Sequence, residues 1–309
     1  MRVQVQRCTE EQLPEAAKLA ADLWARARLD EPLLPVSHED PMLVREYLRD
    51  QGEIWVATRG AEVVAVLAAT LGTYGAYSPQ LGVAGDPDAL PELYAQAAVE
   101  WVAKGELTHA VHIPLVAREL IEPFLRLSFG YQSEVGVHAL KTLPLAPEVP
   151  DLTVSLADMD DFEDVVRLVH ALPEHLAESP VFMRRPDKYY GSLRGVHAGN
   201  FRAAKGQYFL ARVAGQAAGL VVVHGDDLEP LEPLGCRYLN IGVVFPEYRG
   251  TGVGLALTRA ALADAVERRA TSMSSDWRTT NLRAARFWPA VGFRPTCVRL
   301  SRSIDLTPR

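Results

Sequence analysis

The stretch VVFPEYRGTGVGLAL, residues 243–257, carries three glycines at alternate positions: Gly250, Gly252 and Gly254. The apolar run before it predicts a strand, which ends at Phe245-Pro246 because proline cannot donate to a β-ladder. The alanine- and leucine-rich run after it predicts a helix. Glycine destabilises a helix interior by roughly 1 kcal/mol relative to alanine. Three glycines at a helix start therefore indicate that another group comes close to this backbone.

A strand that leads through a glycine turn into a helix is typical of an anion site. The free N–H groups of the first helical turn and the positive end of the helix dipole face one point, and phosphate binds well there. Glycines let its oxygens reach the backbone without meeting a Cβ. Arg249 adds a charge-assisted contact worth roughly 1.5–3 kcal/mol. We therefore predict that residues 249–255 bind a phosphate group.

The glycine turn fits two well-known phosphate-binding motifs poorly. A Walker A loop requires Lys and Ser or Thr after its last glycine, and no Lys follows here. A dinucleotide fingerprint requires a third glycine where Leu257 stands, and an acidic residue about 20 positions on, where the sequence reads ERRATSMSS. The remaining alternative is a glycine-rich turn that binds no ligand. The arginine at the turn and the proline that ends the strand favour a ligand site over it.

The order of predicted elements occurs twice along the chain. Residues 2–8 and 152–156 alternate as strands before amphipathic helices. Residues 53–71 and 207–223 predict hairpins that turn at Arg59-Gly60 and Ala214-Gly215. Each half then continues with a strand, a helix, a strand, a short helix and a final strand. The repeat predicts two similar α/β domains.

The boundary between the halves is predicted within residues 142–152, TLPLAPEVPDL, because its three prolines favour an extended, semi-rigid linker. The predicted domains are residues 1–145 and residues 151–309.

The composition limits the classes of partner. A net charge of −7 among 309 residues gives no basic field for nucleic acid or an anionic membrane. The three cysteines are far apart, so we expect reduced thiols and no metal site. The N-terminus lacks the apolar core of a signal peptide, and the longest apolar run, residues 63–71, is too short to span a bilayer. These features predict a soluble cytoplasmic protein.

Two signatures resemble those of the Gcn5-related N-acetyltransferases, the GNAT family. Residues 249–254 match its pyrophosphate turn, Arg/Gln-x-x-Gly-x-Gly/Ala, after a strand. NLRAARFWPAVGF, residues 281–293, is similar to its second signature, in which Asn, Ala, an aromatic residue and Gly-Phe fall in register. The resemblance covers residues 150–309 well and the first half weakly. The tandem layout is also similar in architecture to mycothiol synthase, although its substrate is not implied.

The resemblance implies an α/β fold of two tandem GNAT-like domains. Each has a mixed, mostly antiparallel sheet, flanked by helices, with a splayed central parallel pair, here residues 238–244 and 272–277. It implies N-acetyl transfer from acetyl-CoA, as co-substrate, to a primary amine of a small molecule or peptide that enters by residues 170–200. The transfer is direct, in a ternary complex, in a monomer or homodimer without nucleic acid or membrane partners. The implied coenzyme contacts are Val243, Val244, Arg249, Gly250, Thr251, Gly252, Val253, Gly254, Leu255, Asn281 and Phe287.

The positions implied for catalysis depart from the family pattern. Asn240 stands where many members carry a glutamate base, and asparagine cannot accept a proton. Trp288 replaces the usual tyrosine acid, which leaves it to pack against the thioester arm or in the core. The Val244 N–H would stabilise the oxyanion. The departures keep open an alternative, an acyl-CoA-binding sensor or scaffold without catalysis. Candidates for the missing base are Asp276, Glu174, His175 and His224.

The first half departs further from the GNAT pattern. Its counterpart of the glycine turn is AGDPDALPELY, residues 84–94, which contains no arginine, while Asp86 and Asp88 would repel a pyrophosphate. We therefore expect residues 1–145 to be a degenerate copy that does not bind the coenzyme and that walls the acceptor site of the second domain.

Overall fold

A computed structural model describes residues 3–72, 75–225 and 235–305 of the chain. The chain divides into two compact units. The first comprises Met1–Val135 together with Pro295–Arg309, and the second comprises Gly136–Arg294. None of the helices in the described residues combines the length and the apolar composition that crossing a bilayer requires.

The first unit begins with a strand and two helices, and after the hairpin it has two short strands where one was predicted; the rest follows the predicted order. Its aromatic core includes Trp24, Tyr94, Trp101 and Phe124, each at most 2% exposed. Its elements are β1 (Gln4–Arg7), α1 (Leu13–Asp30), α2 (Pro41–Asp50), β2 (Glu53–Arg59), β3 (Glu62–Gly72), β4 (Gly75–Ser78), β5 (Val83–Gly85), α3 (Leu90–Ala103), β6 (Thr108–Pro114), α4 (Ile121–Arg126) and β7 (Gly130–His138), of which the last runs on into the second unit.

The second unit repeats this order. Its first hairpin turns at Ala214 and Gly215, which both have positive φ, +47° and +77°, as a two-residue turn between strands favours. Its elements are β8 (Leu152–Leu156), α5 (Phe162–Ala177), α6 (Asp187–Arg202), β9 (Gln207–Val213), β10 (Gln216–His224), β11 (Cys236–Val244), α7 (Val253–Glu267), β12 (Ser272–Arg278) and α8 (Leu282–Ala290); β13 (Arg294–Ser303) then ends the described strands.

The last strand, β13, follows the second unit in the sequence but lies almost entirely in the first unit. β13 pairs antiparallel with β6, from Cys297 opposite Pro114 to Ser303 opposite Thr108, and so belongs to the first unit. The predicted domain of residues 151–309 is therefore wrong at its C-terminal end. The repeat encodes the strand itself, but the choice of partner is a long-range edge pairing that local pattern does not specify.

The predicted linker is also part of a unit. Leu140 and Leu143 pack in the apolar core of the second unit, and the Pro144 carbonyl accepts a hydrogen bond from the Arg259 guanidinium. Residues 136–150 therefore form a packed segment of the second unit, so the predicted boundary at residue 145 is also displaced.

The sheet of the second unit is mixed, with antiparallel pairs β8–β9, β9–β10 and β10–β11 and one parallel pair, β11–β12. Alternate side chains along its strands reach two cores. One forms against α7 and α8, and the other against α5. A sheet covered on both faces explains why β10 is a nearly continuous apolar run. The predicted fold class is confirmed.

Candidate functional site

The central parallel strands of the second unit pair over only half their length. Residues 236–239 of β11 lie opposite residues 272–275 of β12. On its other side β11 carries a bulge, because β10 pairs Val222 with Ile241 but Val223 with Leu239, which leaves Asn240 as the extra residue. A bulge bends its strand and increases the local twist. The end of β11 therefore diverges from β12, as predicted for the splayed pair.

The divergent end of β11 presents backbone groups to the gap. The Phe245 N–H donates to the Ala218 carbonyl on the β10 side, at 2.9 Å. Since successive residues of a strand point their N–H and C=O groups to opposite sides, those of Val244 face the gap. The Arg249 Nε donates to the Val244 carbonyl there, at 3.1 Å. This strand edge is available for pairing with an extended amide-containing ligand.

Helix α7 begins at the same place. Its N-cap, Gly252, has a φ of +102°, and Gly250 has a φ of +80°, so the turn needs glycine at both positions. The first bond of the helical ladder runs from the Ala256 N–H to the Gly252 carbonyl, at 3.0 Å. The N–H groups of residues 253–255 therefore have no acceptor in a preceding turn, and they carry the positive end of the helix dipole.

The three glycines of this turn serve different purposes. A Cβ on Gly252 would lie 2.9 Å from Val149 and 3.0 Å from Pro147, both in the packed segment 136–150. A Cβ on Gly254 would lie 3.6 Å from Val244 and 3.8 Å from Phe287. Gly254 therefore keeps space open beside the gap, whereas Gly252 accommodates another part of the chain. The missing side chain at Gly252 thus also serves packing, although Gly252 lines the cavity as well.

A cavity of about 480 Å³ connects the strand edge with the helix start. Its walls come from both faces of the sheet, since Leu172 and His175 of α5 and Phe287 and Trp288 of α8 all line it. The gap between β11 and β12 makes this connection possible. The remaining lining residues are Leu220, Val221, Gly242, Val243, Val244, Tyr248, Arg249, Gly250, Gly252, Gly254, Leu255, Leu257, Thr258, Asn281, Arg283 and Ala284.

Most of the residues predicted to contact a coenzyme lie around this cavity. The exceptions are Thr251, whose hydroxyl donates to the Tyr248 carbonyl at 2.8 Å, and Val253, whose side chain is fully buried in the core. Only their backbone groups can take part. Asn281 is the N-cap of α8 and accepts from the Ala284 N–H at 3.3 Å. The predicted residues that line the cavity are Val243, Val244, Arg249, Gly250, Gly252, Gly254, Leu255, Asn281 and Phe287.

Of the positions predicted for catalysis, Val244 and Trp288 line the cavity and Asn240 does not. Asn240 is exposed on the bulge and is not among the cavity-lining residues, so it does not act within the cavity. Trp288 lines the cavity and packs over Gly242, where its Cζ2 would lie 3.1 Å from an added Cβ. Of the four candidate bases only His175 lines the cavity. Asp276 instead accepts a hydrogen bond from the Tyr238 hydroxyl.

Two arginines, Arg249 and Arg283, line the cavity. Burial and the charge of Arg283 lower the pKa of Arg249. Burial lowers the pKa of His175, and the charges of Arg249 and Arg283 lower it further. His175 is therefore neutral at pH 7. Within the described residues, no group of three or more His, Cys, Asp or Glu side chains is arranged to hold a metal ion.

Sequence reasoning missed Arg283, although a signal was present. Arg283 stands in the first turn of α8, which has no acidic residue there, and α7 has none either. The first turns of α5 and α6, by contrast, carry Glu163, Asp164 and Asp187. A cation at the positive end of a helix is unfavourable unless an anion joins it, so an arginine two residues after an Asn cap indicates an anion site.

Residues 170–293 match the family model described as Acetyltransferase (GNAT) family. The chain is also similar to a solved GCN5-related N-acetyltransferase from Sphaerobacter thermophilus, with a TM-score of 0.61 and 15% identity over 99% of this chain and 97% of that one. A tandem GNAT protein from the clavulanic acid biosynthesis pathway gives a TM-score of 0.53 and 15% identity over 99% of this chain and 100% of that one.

No curated protein has a sequence that matches this chain. At such low identity the two solved structures show the fold, and they extend over nearly the whole chain. The tandem GNAT architecture predicted from the repeat is therefore confirmed. The family model matches the part of the chain that contains the splayed strands, the glycine turn and the cavity. Within the second unit, residues 170–293 thus match the GNAT family of acetyltransferases.

Proposed function

We propose that the protein is an acyl-CoA-dependent N-acyltransferase. It transfers an acetyl group from acetyl-CoA to a primary amine of a small molecule or peptide by direct transfer in a ternary complex in the second unit. The observation that carries the proposal is the cavity that joins the α7 N-terminus to the free edge of β11. A coenzyme needs both features, because its diphosphate and its amide-containing arm are parts of one molecule.

The chemistry requires little from side chains. The amine nitrogen forms a bond to the thioester carbonyl carbon, the carbon–sulfur bond breaks, and its electron pair leaves with the sulfur. The ammonium proton is lost to solvent or to the departing thiolate, which is a tolerable leaving group because thiols are far more acidic than alcohols. The Val244 N–H faces the cavity and can stabilise the oxyanion. Alignment of the two substrates can contribute about 7–11 kcal/mol to lowering the barrier.

The first unit supports an assignment of the chemistry to the second. Its counterpart of the glycine turn is filled by its own groups, since Asp86 accepts from the Asp88 N–H at 2.9 Å and forms an ion pair with Arg59. Pro91 follows at the start of α3. A carboxylate therefore already caps the 3-10 turn Pro87–Ala89 that leads into α3, and a second anion would be repelled. We propose that the first unit does not bind the coenzyme.

The sharpest test uses Gly254. Its backbone is helical and a Cβ there meets only ordinary contacts, so Gly254→Asp leaves the fold intact. An aspartate in the first turn of a helix stabilises it by about 0.3–1 kcal/mol. We expect this variant to keep or raise its unfolding temperature while its Kd for acetyl-CoA, measured by calorimetry, rises at least about tenfold, because its carboxylate occupies the diphosphate site.

Gly254→Ala is the matched control, because it adds the Cβ without the charge. We expect its Kd to stay within about threefold of wild type. If Gly254→Asp binds acetyl-CoA as tightly as the wild-type chain, the coenzyme does not use this turn and the proposal fails.

A second function is favoured by Asn240 and Trp288, which stand where family members carry catalytic groups. In that case the protein binds acyl-CoA as a sensor or scaffold without turnover. The release of free thiol from acetyl-CoA in the presence of a panel of amines separates the two. Release that depends on an amine excludes the sensor, whereas coenzyme binding without release for any amine favours it.

A further inference from the structure

Three basic side chains line the cavity, each from a different part of the second unit. His175 comes from α5, Arg249 from the turn before α7, and Arg283 from the first turn of α8. The GNAT resemblance accounts only for Arg249. His175 lies outside both signatures and Arg283 occupies a position that the second signature leaves unspecified, so their convergence on the same cavity needs its own explanation.

Among the described residues, two arginines and one glutamate act on the charge of His175. Glu178 opposes the two arginines, but its Oε2 lies 3.8 Å from the His175 Nδ1, beyond hydrogen-bonding distance. That Nδ1 is buried and has no hydrogen-bond partner among the described residues, while the Asn281 side chain hydrogen-bonds the ring. The charge of Glu247 also acts on Arg249. Within the described part of the chain, the imidazole thus has one buried nitrogen without a partner, and the charges of two guanidinium groups act on it.

The backbone adds to the same positive potential. The N-termini of α7 and α8 both reach the cavity, through Gly254 and Asn281, and neither helix has an acidic residue in its first turn. Two helix dipoles, two arginines and one histidine therefore face a common space. These positive groups repel one another when the cavity is empty, and a bound multivalent anion would offset that repulsion.

We propose that His175 and Arg283 complete the diphosphate site of the acyl-CoA and that His175 takes up a proton when the coenzyme binds. The inference rests on the proposed function and adds to it a proton-linked binding step. Before binding, the imidazole is neutral because the arginines oppose its charge. The diphosphate neutralises those arginines, so the ring accepts a proton from solvent and contacts the anion as a cation. Coenzyme affinity therefore falls as pH rises from 6 to 8.

The experiment is calorimetry of coenzyme A binding to the full chain at pH 7, in two buffers that differ in ionisation enthalpy. The difference in heat gives the number of protons taken up. We expect about half a proton per coenzyme for the wild-type chain. His175→Gln, which keeps a hydrogen-bonding side chain but does not titrate, should lose this uptake, and its Kd should no longer vary between pH 6 and 8.

A parallel titration with 3′-dephospho-coenzyme A identifies the phosphate group involved. Its diphosphate does not titrate near neutral pH, so any uptake comes from the protein. We expect the same uptake with both ligands. If the uptake disappears with the dephospho form, the diphosphate assignment is overturned.

Control variants separate a local effect from a general one. His170→Gln alters another histidine of α5 that does not line the cavity and should keep the wild-type proton uptake. Arg283→Gln should raise the Kd about tenfold, whereas Arg286→Gln, one turn further along α8 and also exposed but not among the cavity-lining residues, should leave it nearly unchanged. Equal circular dichroism and unfolding temperatures for all four variants establish that they are folded.

The outcomes distinguish this inference from the proposed function. Binding of coenzyme A without proton uptake, or with equal uptake in His175→Gln, overturns the role of His175 and leaves the acyltransferase proposal in place. Failure of the wild-type chain to bind either ligand overturns both.

Discussion

At the scale of single residues, the close contact between Gly242 and Trp288 shapes the cavity. The indole lies over the one residue of the divergent strand end that has no side chain, with Cζ2 and Cη2 at 3.1 and 3.3 Å from an added Cβ. Trp288 is only 7% exposed. From the sequence alone, Trp288 could either pack beside a ligand or lie in the core. In the structure its side chain belongs to the core of the second unit and also lines the cavity.

This contact predicts an unusual response to a small substitution. Alanine is normally better than glycine in a strand, but Gly242→Ala forces the indole to move and should lower the free energy of unfolding by about 1 kcal/mol. Urea denaturation measures it. In a Trp288→Phe background the loss should shrink, since the clashing ring atoms are gone.

Gly191 of α6 is the matched control, because a Cβ there meets nothing within 4 Å. Gly191→Ala should raise the free energy of unfolding by about 0.5–1 kcal/mol. If Gly242→Ala is instead as stable as wild type, the packing of Trp288 on the strand is looser than described.

At the scale of elements, the first unit holds a buried histidine between α1 and α2. His38, in the 3-10 turn Val36–Glu39, is 2% exposed, and neither ring nitrogen has a hydrogen-bond partner in the described part of the chain. Its ring meets Trp24 edge to face at 4.7 Å between centroids. Burial, assisted by the charge of Arg28, lowers the pKa of His38 to about 4. A second histidine, His112 on β6, is buried so that its pKa falls to about 3.

These histidines predict the pH dependence of stability. Both folded pKa values lie below the unfolded value of about 6.5, so between pH 6.5 and about 4 the unfolded chain binds more protons than the folded one. The contribution of these histidines to the free energy of unfolding is therefore fully present above pH 6.5, and it declines as the pH falls. Urea midpoints at pH 7 and pH 5 should show the decline, and His38→Phe should make it shallower. A midpoint that does not change with pH in the wild-type chain would contradict this.

Much of the element pattern could be predicted from the sequence, and the exceptions share a cause. The hairpin at Ala214-Gly215, the strand that ends at Pro246 and the Asn281 cap all follow from local turn and capping chemistry. The contact of Gly252 with Val149 and the approach of His175 to Arg249 join residues far apart in sequence. Such contacts depend on how packed elements meet, and no local pattern contains that information.

At the scale of the whole molecule, the repeat in the sequence and the units in the structure do not coincide. β13 lies in the first unit, and Gly136, at the start of the second, stands where an added Cβ would lie 2.6 Å from the Trp277 ring. The end of one repeat thus contributes to the unit built by the other. A repeat of elements specifies how many strands form but not which sheet receives each one.

This exchange predicts which part of the molecule fails on truncation. Removing residues 295–309 deletes the antiparallel partner of β6 and exposes one edge of that strand. We expect hydrogen exchange to show lost protection in residues 108–114 and the strands around them, while α7 and β10 stay protected. Lost protection centred on residues 236–278 instead would contradict the assignment of β13 to the first unit.

If the protein binds acyl-CoA as proposed, the bond from Arg249 to the Val244 carbonyl would make that binding an exchange of partners. An amide that takes the place of the guanidinium on this carbonyl would displace it, and the diphosphate of the same molecule would offer the guanidinium a stronger, charge-assisted partner. Short thioesters that lack the nucleotide end would have to break the bond without compensation. In the acyltransferase proposed above, this single hydrogen bond would serve as a filter for full-length acyl donors.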